Sequence, residues 1–321
     1  MNDVADLPKE LDDSIRQFCE EFERGLREFT ASMDKPKTGI LHHYTNESGL
    51  KGILKSGTLW LSNVFTQRDS SEWRWGISQV TDILRKAEGT QSAEFQRFIT
   101  RWLTHIPWDK EVRNVAYAFI CSMTQSENSD GNVHQWRDFG DRGRGYALEF
   151  DACTLSNFFE SGQEIGSFTF EMLYGKQYLN KLAEKLKSDL FQAFLKLNPN
   201  DSTAQSGMLY LRTLIRKSNF YTVYLSLFFK KYKYQDENEY RLIQIFPAGK
   251  KPADVAVRRA SGGNVQFRRF DWRTHQSNSL RRIIIGPAAE YKESCQFVND
   301  CLNRSGLEGV EISRSNLLYR A

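Results

Sequence analysis

Glu237 and Glu239, two carboxylates two positions apart at the entrance of the apolar run 239–246, are the residues best suited by type to a developing positive charge. A carboxylate fixed beside a scissile glycosidic bond stabilises the oxocarbenium-like state through which such a bond breaks. Along a strand, positions i and i+2 share a face, so the two would act from one side. The plain readings are a Glu239 exposed at the strand entrance and paired with Arg241, and a solvated Glu237. Far upstream, His42 and His43 end a short strand beside a helix start, where the strand fixes a side chain and the loop leaves room for a substrate. A neutral imidazole donates and accepts at once, which suits a hydroxyl ligand. The two histidines point opposite ways on a strand, so one of them is structural. Thr45 either offers its hydroxyl to the same ligand or N-caps the helix that follows. In Gln135-Trp136-Arg137-Asp138-Phe139-Gly140-Asp141, Arg137 is a bidentate phosphate ligand or the partner of Asp138 or Asp141. His134 has no recognisable Cys or Ser partner, and no zinc or P-loop spacing occurs.

These residues need a scaffold, and the periodicities supply one. Leu41 to Tyr44 reads as a strand, Leu50, Ile53 and Leu54 as one face of a helix stopped at Gly57, and Leu59 to Ser62 as a second strand. Leu11, Ile15, Phe18, Phe22, Leu26, Phe29 and Met33 recur at helical steps over 9–34, with a stop at Lys35 to Gly39. That helix is either a prop on its own chain, which is favoured, or a partner-binding element. Helices are expected over 71–86, 92–104 (ending near His105 and Pro107), 178–197, 208–230 and 289–303, with a break at Pro199-Asn200-Asp201. Strands are expected over 115–123, 145–151, 168–173, 239–246, 255–257, 265–270, 280–285 and 310–312, and Ser126 to Asn132 as a loop. Strands separated by uneven helical insertions favour α+β over a doubly wound parallel sheet.

The stretch from His43-Tyr44-Thr45 through Gly49-Leu50, Ile53-Leu54 and Gly57 resembles the first NAD-binding motif of the ADP-ribosyltransferase superfamily. Asn238-Glu239-Tyr240 is similar to a late motif of poly(ADP-ribose) polymerases, and Glu237 with Glu239 resembles the Glu-x-Glu of arginine-modifying transferases. More closely, 38–321 resembles a bacterial family of unknown function, through Ser62 to Glu72, Cys121-Ser122, Gln135 to Asp141 with Gly145, Glu237 to Arg241, and Ile284 to Pro287 with Tyr319-Arg320. The resemblance implies an ADP-ribosyltransferase-like split β-sandwich with helical insertions, preceded by the amphipathic helix of 1–37. It implies NAD as substrate, with Glu239 as catalytic carboxylate on the nicotinamide ribose, Glu237 orienting the acceptor, and His43 on the adenosine ribose. Tyr44 stands where polymerases have a Gly whose backbone clamps the carboxamide, and Thr45 at the hydroxyl position. Trp60 or Phe65 would stack on nicotinamide, though each also reads as core. Asp69 and Glu72 match an acidic pair without an assigned role.

The implied activity is transfer of ADP-ribose to a macromolecule, DNA or RNA narrowly favoured over protein, in a toxin or phage-defence setting with an antitoxin or regulator as partner. The basic cluster Arg258, Arg259, Arg268, Arg269 and Arg273 with Phe267, Phe270 and Trp272 motivates the nucleic-acid preference; a solvated basic loop is the alternative. NAD hydrolysis without transfer, or a non-catalytic nucleotide- or partner-binding module, are the other readings. An RNA 2′-phosphotransferase on the same fold fits less well, because that chemistry uses basic residues in place of the late Glu. The net charge of +4 is compatible with a nucleic-acid target without requiring one. Five scattered cysteines, an odd number without metal spacing, read as reduced thiols of a cytoplasmic chain. No apolar leader and no eighteen-residue apolar run is present, so neither export nor membrane insertion is expected, and without zinc-ligand spacing no metal is expected.

Overall fold

A computed structural model describes residues 7–33, 39–67, 71–86, 92–103, 112–126, 131–161, 166–197, 205–260, 263–273 and 279–318. The Met33 side chain, the Lys35 stop, Asp69, the His105 and Pro107 helix end, the centre of the 126–132 loop, the Pro199-Asn200-Asp201 break and Tyr319-Arg320 lie outside the described residues. In chain order come α1 (Lys9–Met33), β1 (Ile40–Thr45), α2 (Glu47–Ser56), β2 (Thr58–Asn63), α3 (Ser71–Arg85), α4 (Ala93–Phe98) and β3 (Ala116–Ser126). Next are α5 (Val133–Asp138), β4 (Tyr146–Asp151), α6 (Ala152–Ser161), β5 (Ser167–Glu171), β6 (Leu173–Tyr174), α7 (Gln177–Phe194), α8 (Gln205–Ser226) and β7 (Phe229–Lys230). The chain continues through β8 (Glu239–Pro247), β9 (Ala256–Ala260), β10 (Gly263–Asp271), β11 (Leu280–Ile285), α9 (Tyr291–Ser305) and β12 (Glu311–Arg314).

Ten strands form one mixed sheet in the order β12-β11-β4-β1-β3-β2-β10-β9, with β8 on the other edge of β3 and β5 beyond it. Strands alternate faces, and the two faces bury different partners. Leu41, Leu61, Phe119, Cys121 and Leu242 pack with Leu50 and Leu54 of α2, Phe159 of α6 and Val298 of α9. On the opposite face, Ala118, Ile120, Ile243 and Ile245 pack with Trp73 and Ile77 of α3 and Val223 of α8. The fold is therefore α+β with helices over both faces of a single sheet. The split expected of a two-sheet sandwich is instead a fork within that sheet.

The fork has a simple origin. β1 pairs with the far end of β3, from Ile40↔Ser126 to His42↔Thr124, while β2 pairs with it only at Ser62↔Ile120 and Asn63↔Phe119. His43 to Thr45 then follow β4 alone, and Thr58 to Leu61 follow β10. Residues 121–123 of β3 thus face an opening between β1 and β2, bridged by α2. That helix starts at Asn46, whose side chain accepts the Gly49 N–H at 2.9 Å, so Asn46, not Thr45, is the N-cap. It ends as the sequence predicts, at Gly57 with φ +67°.

The amphipathic α1 packs as a prop. Ile15, Phe18, Phe22 and Leu26 bury against Leu182 and Leu186 of α7 and Tyr210 and Tyr221 of α8. One boundary error matters for the site. The helix expected over 208–230 stops at Ser226, and the chain turns into the two-residue β7, which pairs with β6. Lys230 consequently leaves the helix for this separate two-stranded sheet, where its ammonium reaches Glu239.

Candidate functional site

A cleft of about 880 Å³ threads the fork. Its floor comes from β1, β2, β3 and β8, and its walls from the start of α2, the start of α3, the end of α8 and the turn Tyr232–Glu237.

Five charged groups converge at one end. Glu239, 4% exposed, is paired through both oxygens with Arg241, at 2.7 and 3.0 Å, and lies 2.6 Å from the Lys230 ammonium. Lys230 also meets Glu237 at 2.6 Å and Glu72 at 3.2 Å, and Arg241 completes the ring by pairing with Glu72. Burial alone would raise the Glu239 carboxyl. The Arg241 and Lys230 charges and hydrogen bonds outweigh it and hold the group down to about 2. Burial opposes the Lys230 ammonium too, but the carboxylates around it raise its pKa. Three carboxylates against two cations leave the cluster at −1, facing the cleft through the partly exposed Glu72 and Glu237.

Sequence reading places the carboxylates here for a partly different reason. Glu237 is not on the strand: it ends a 3-10 turn, and Asn238 follows with φ +42°. Its approach to Glu239 comes from their shared ammonium, not from strand alternation. Glu239 is paired with Arg241 as the plain reading has it, yet it is buried, not exposed.

The two histidines divide as alternation requires. His42, fully buried, lies in a row that crosses five strands, Arg282↔Glu149↔His42↔Thr124↔Glu239. Its Nε2 is 3.3 Å from Glu149, which Arg282 also holds. His43 turns to the other face, where its Nδ1 donates to the Ser122 carbonyl at 3.4 Å. Burial lowers its pKa, only partly offset by that bond, so the ring is neutral and Nε2 is an acceptor. Cys121 Sγ lies 3.9 Å from the same Nδ1, but burial and the Glu239 charge push the thiol up to about 12. The pair keeps its proton on sulfur and is no nucleophile at neutral pH.

Tyr44 lines the cleft, but its ring sits edge-on against Trp136 and its hydroxyl accepts the Asn132 N–H at 2.7 Å. Thr45 lines it as well. Of the two candidate stacking residues, Trp60 is 45% exposed in the cleft and stacked on Phe267 at 4.4 Å. Phe65 is outside the lining, buried edge-on against Trp73 because it follows β2 into the α3 core. Arg137 is outside it too, held bidentately by Asp138 at 2.7 and 3.0 Å. The neighbouring Phe139, 61% exposed, reaches the rim instead.

Sequence reading missed Lys230, and did not assign Arg241 or Glu72 to the site. The period-2 run Glu237-x-Glu239-x-Arg241 carried the signal for Arg241. The basic cluster of 258–273 also changes character. Phe267, Phe270 and Trp272 are buried and so closed to base stacking, and Arg268 is tied to Asp254 and Gln244. Arg259 and Arg269 remain exposed.

Among the described residues, no group of His, Cys, Asp and Glu is placed to hold a metal ion, and no helix is long and apolar enough to cross a membrane. Residues 135–242 match a family described as "Protein of unknown function (DUF2971)". That span supplies Lys230, Glu237, Glu239 and Arg241, whereas the His43, Trp60 and Glu72 side of the cleft lies outside it. No curated protein and no solved structure matches the chain.

Proposed function

We propose that the chain is an NAD-dependent ADP-ribosyltransferase whose substrate lies in the forked cleft. The observation that carries the reading is the buried, net-negative cluster around Glu239 at one end of a cleft that also presents a neutral imidazole and an exposed indole. In the reaction the bond between ribose C1′ and the nicotinamide nitrogen breaks, and its electron pair leaves with nicotinamide. The positive charge left on the sugar is met by the −1 cluster, where Glu239 stays ionised throughout the physiological range. The acceptor's nucleophile then bonds to C1′ and releases its proton to solvent, with Glu237, more exposed than Glu239, as its orienting group. His43 Nε2 accepts from a ribose hydroxyl, and Trp60 offers the stacking face.

For the acceptor, nucleic acid stays narrowly ahead of protein on the exposed Arg259 and Arg269, although Phe267, Phe270 and Trp272 are buried. A toxin or phage-defence effector role, with an antitoxin, and a cytoplasmic location belong to the same proposal and rest on the resemblance of the motifs. One observation favours a second reading. Glu239 is already matched by two cations, which suits a non-catalytic nucleotide-binding module better than a free catalytic carboxylate.

The test is incubation with NAD labelled on its adenylate, with cell lysate, comparing wild type with Glu239→Gln. Nicotinamide release lost in the variant, with label in a macromolecular fraction, supports transfer and names the acceptor. Free ADP-ribose as sole product points to a glycohydrolase. No release by the wild type sinks the enzyme reading and leaves the binding module.

A further inference from the structure

The geometry points to Arg258 as the anion anchor of the cleft, taking the diphosphate of the bound dinucleotide; this rests on the NAD reading above. Arg258 lies on β9 and faces the same side as Trp60, Ser62 and Phe267 through the pairings Val265↔Arg258, Phe267↔Ala256 and Phe267↔Ser62. Its guanidinium carbon is 5.5 Å from the centre of the Trp60 ring, and one terminal N–H donates to Ser62 Oγ at 3.3 Å. Among the described residues, the buried Nε has no hydrogen-bond partner and Arg258 makes no ion pair.

The neighbouring arginines differ. Arg268 is held by Asp254 and Arg273 by the Leu54 and Ser305 carbonyls, while Arg259 and Arg269 are exposed to solvent, where Arg258 is not. A desolvated guanidinium N–H without an acceptor is costly, and its fork geometry fits phosphate oxygens two at a time. Stacking against an indole restrains that fork, reducing what binding must still order.

Placement gives the ligand its direction. Arg258 and Trp60 stand on the β2 side of β3, and the −1 cluster on the β8 side. A nicotinamide dinucleotide has the matching order, a cationic ring at one end of its ribose and a diphosphate beyond. Arg258 therefore fills the role that sequence alone offers to Arg137, whose guanidinium is already occupied by Asp138.

Calorimetric titration with ADP and with NAD tests this on wild type, Arg258→Gln, Arg258→Lys and, as control, Arg212→Gln on the exposed face of α8 outside the cleft lining. Arg258→Gln is expected to weaken ADP at least tenfold, Arg258→Lys by less, and Arg212→Gln by less than twofold. Wild type is also expected to prefer ADP to adenosine at least tenfold, a comparison that serves if the Gln variant does not fold. Wild type that binds ADP while Arg258→Gln keeps its affinity within twofold overturns this proposal alone, as does an Arg258→Gln chain that loses only a single-stranded oligonucleotide. Wild type that binds neither ADP nor NAD overturns the NAD reading with it.

Discussion

Lys230→Met separates two ways of counting the ion cluster. The ammonium is nearly buried and meets Glu239, Glu237 and Glu72 within 3.2 Å. Removing it takes the cluster from −1 to −2 and leaves Arg241 as the cation for Glu239 and Glu72, with Glu237 stripped of its ion pair. Glu239→Gln instead brings the cluster to zero and leaves both cations facing a carboxylate, Arg241 with Glu72 and Lys230 with Glu72 and Glu237. Lys230→Met breaks the buried Lys230–Glu239 pair and leaves three carboxylates to share Arg241, which places its cost at the lower end of the about 3–5 kcal/mol of a broken buried pair. Losing charge-assisted bonds while every cation keeps a partner costs about 1–2 kcal/mol. Urea unfolding should therefore rank Lys230→Met as clearly the less stable.

The pH dependence follows from the same groups. In the wild type the Glu239 carboxyl is held below its unfolded value, so its contribution is complete above the ordinary carboxylate range and is lost as pH falls toward about 2. In Lys230→Met the Glu239 carboxyl loses one of the two cations that hold it down, so its pKa moves back toward the ordinary carboxylate range and its contribution shrinks. The resulting gap is full at neutral pH, where wild type has its whole contribution. The gap between variant and wild type should narrow as pH falls below the ordinary carboxylate range toward about 2, where wild type loses that contribution too. A Glu239→Gln chain as unstable as Lys230→Met, or a gap that widens with acid, would refute the charge count.

Gly52 lies on the cleft side of α2, and a Cβ built there meets nothing within 4 Å. Gly52→Leu should gain about 0.5–1 kcal/mol from helix propensity while blocking NAD, which melting and calorimetry would read together; stronger NAD binding would move the ligand elsewhere. Gly76 of α3 abuts the Ser226 backbone, with a built Cβ only 2.8 Å from its Cα. Gly76→Ala should cost about 1–3 kcal/mol by overpacking, and an unchanged urea midpoint would contradict that helix contact. Trp60→Ala should raise the KM for NAD about three- to tenfold, the scale of one aromatic stack, with little loss of stability because the ring is half exposed; an unchanged KM removes Trp60 from the site.

Periodicity made α1, β1, α2 and β2 legible, because each has one apolar face and Gly57 ends α2, whereas the cap at the start of α2 is Asn46, one residue after the Thr45 that sequence offers. It also separated His42 from His43, since alternation alone sends them to different faces. Lys230 was hidden because the apolar run Leu225 to Phe229 continues a helical pattern past the true end of α8, and a two-residue strand has no period to detect. Arg137 and Phe65 show the opposite failure. Their types suit a ligand, but their neighbours Asp138 and Trp73 satisfy them first. The fork itself was unreadable, because it arises from where β1 and β2 leave β3, a register that no single strand encodes.

The central claim is that the forked cleft binds NAD with its nicotinamide ribose at the Glu239 cluster. A crystal structure with a non-cleavable NAD analogue tests it most directly. The account predicts the nicotinamide ribose within hydrogen-bond reach of Glu239 or Glu72, His43 Nε2 accepting from a ribose hydroxyl, and the diphosphate on Arg258. An analogue bound with its nicotinamide end away from the cluster, or a cleft that stays empty at saturating analogue, would contradict it.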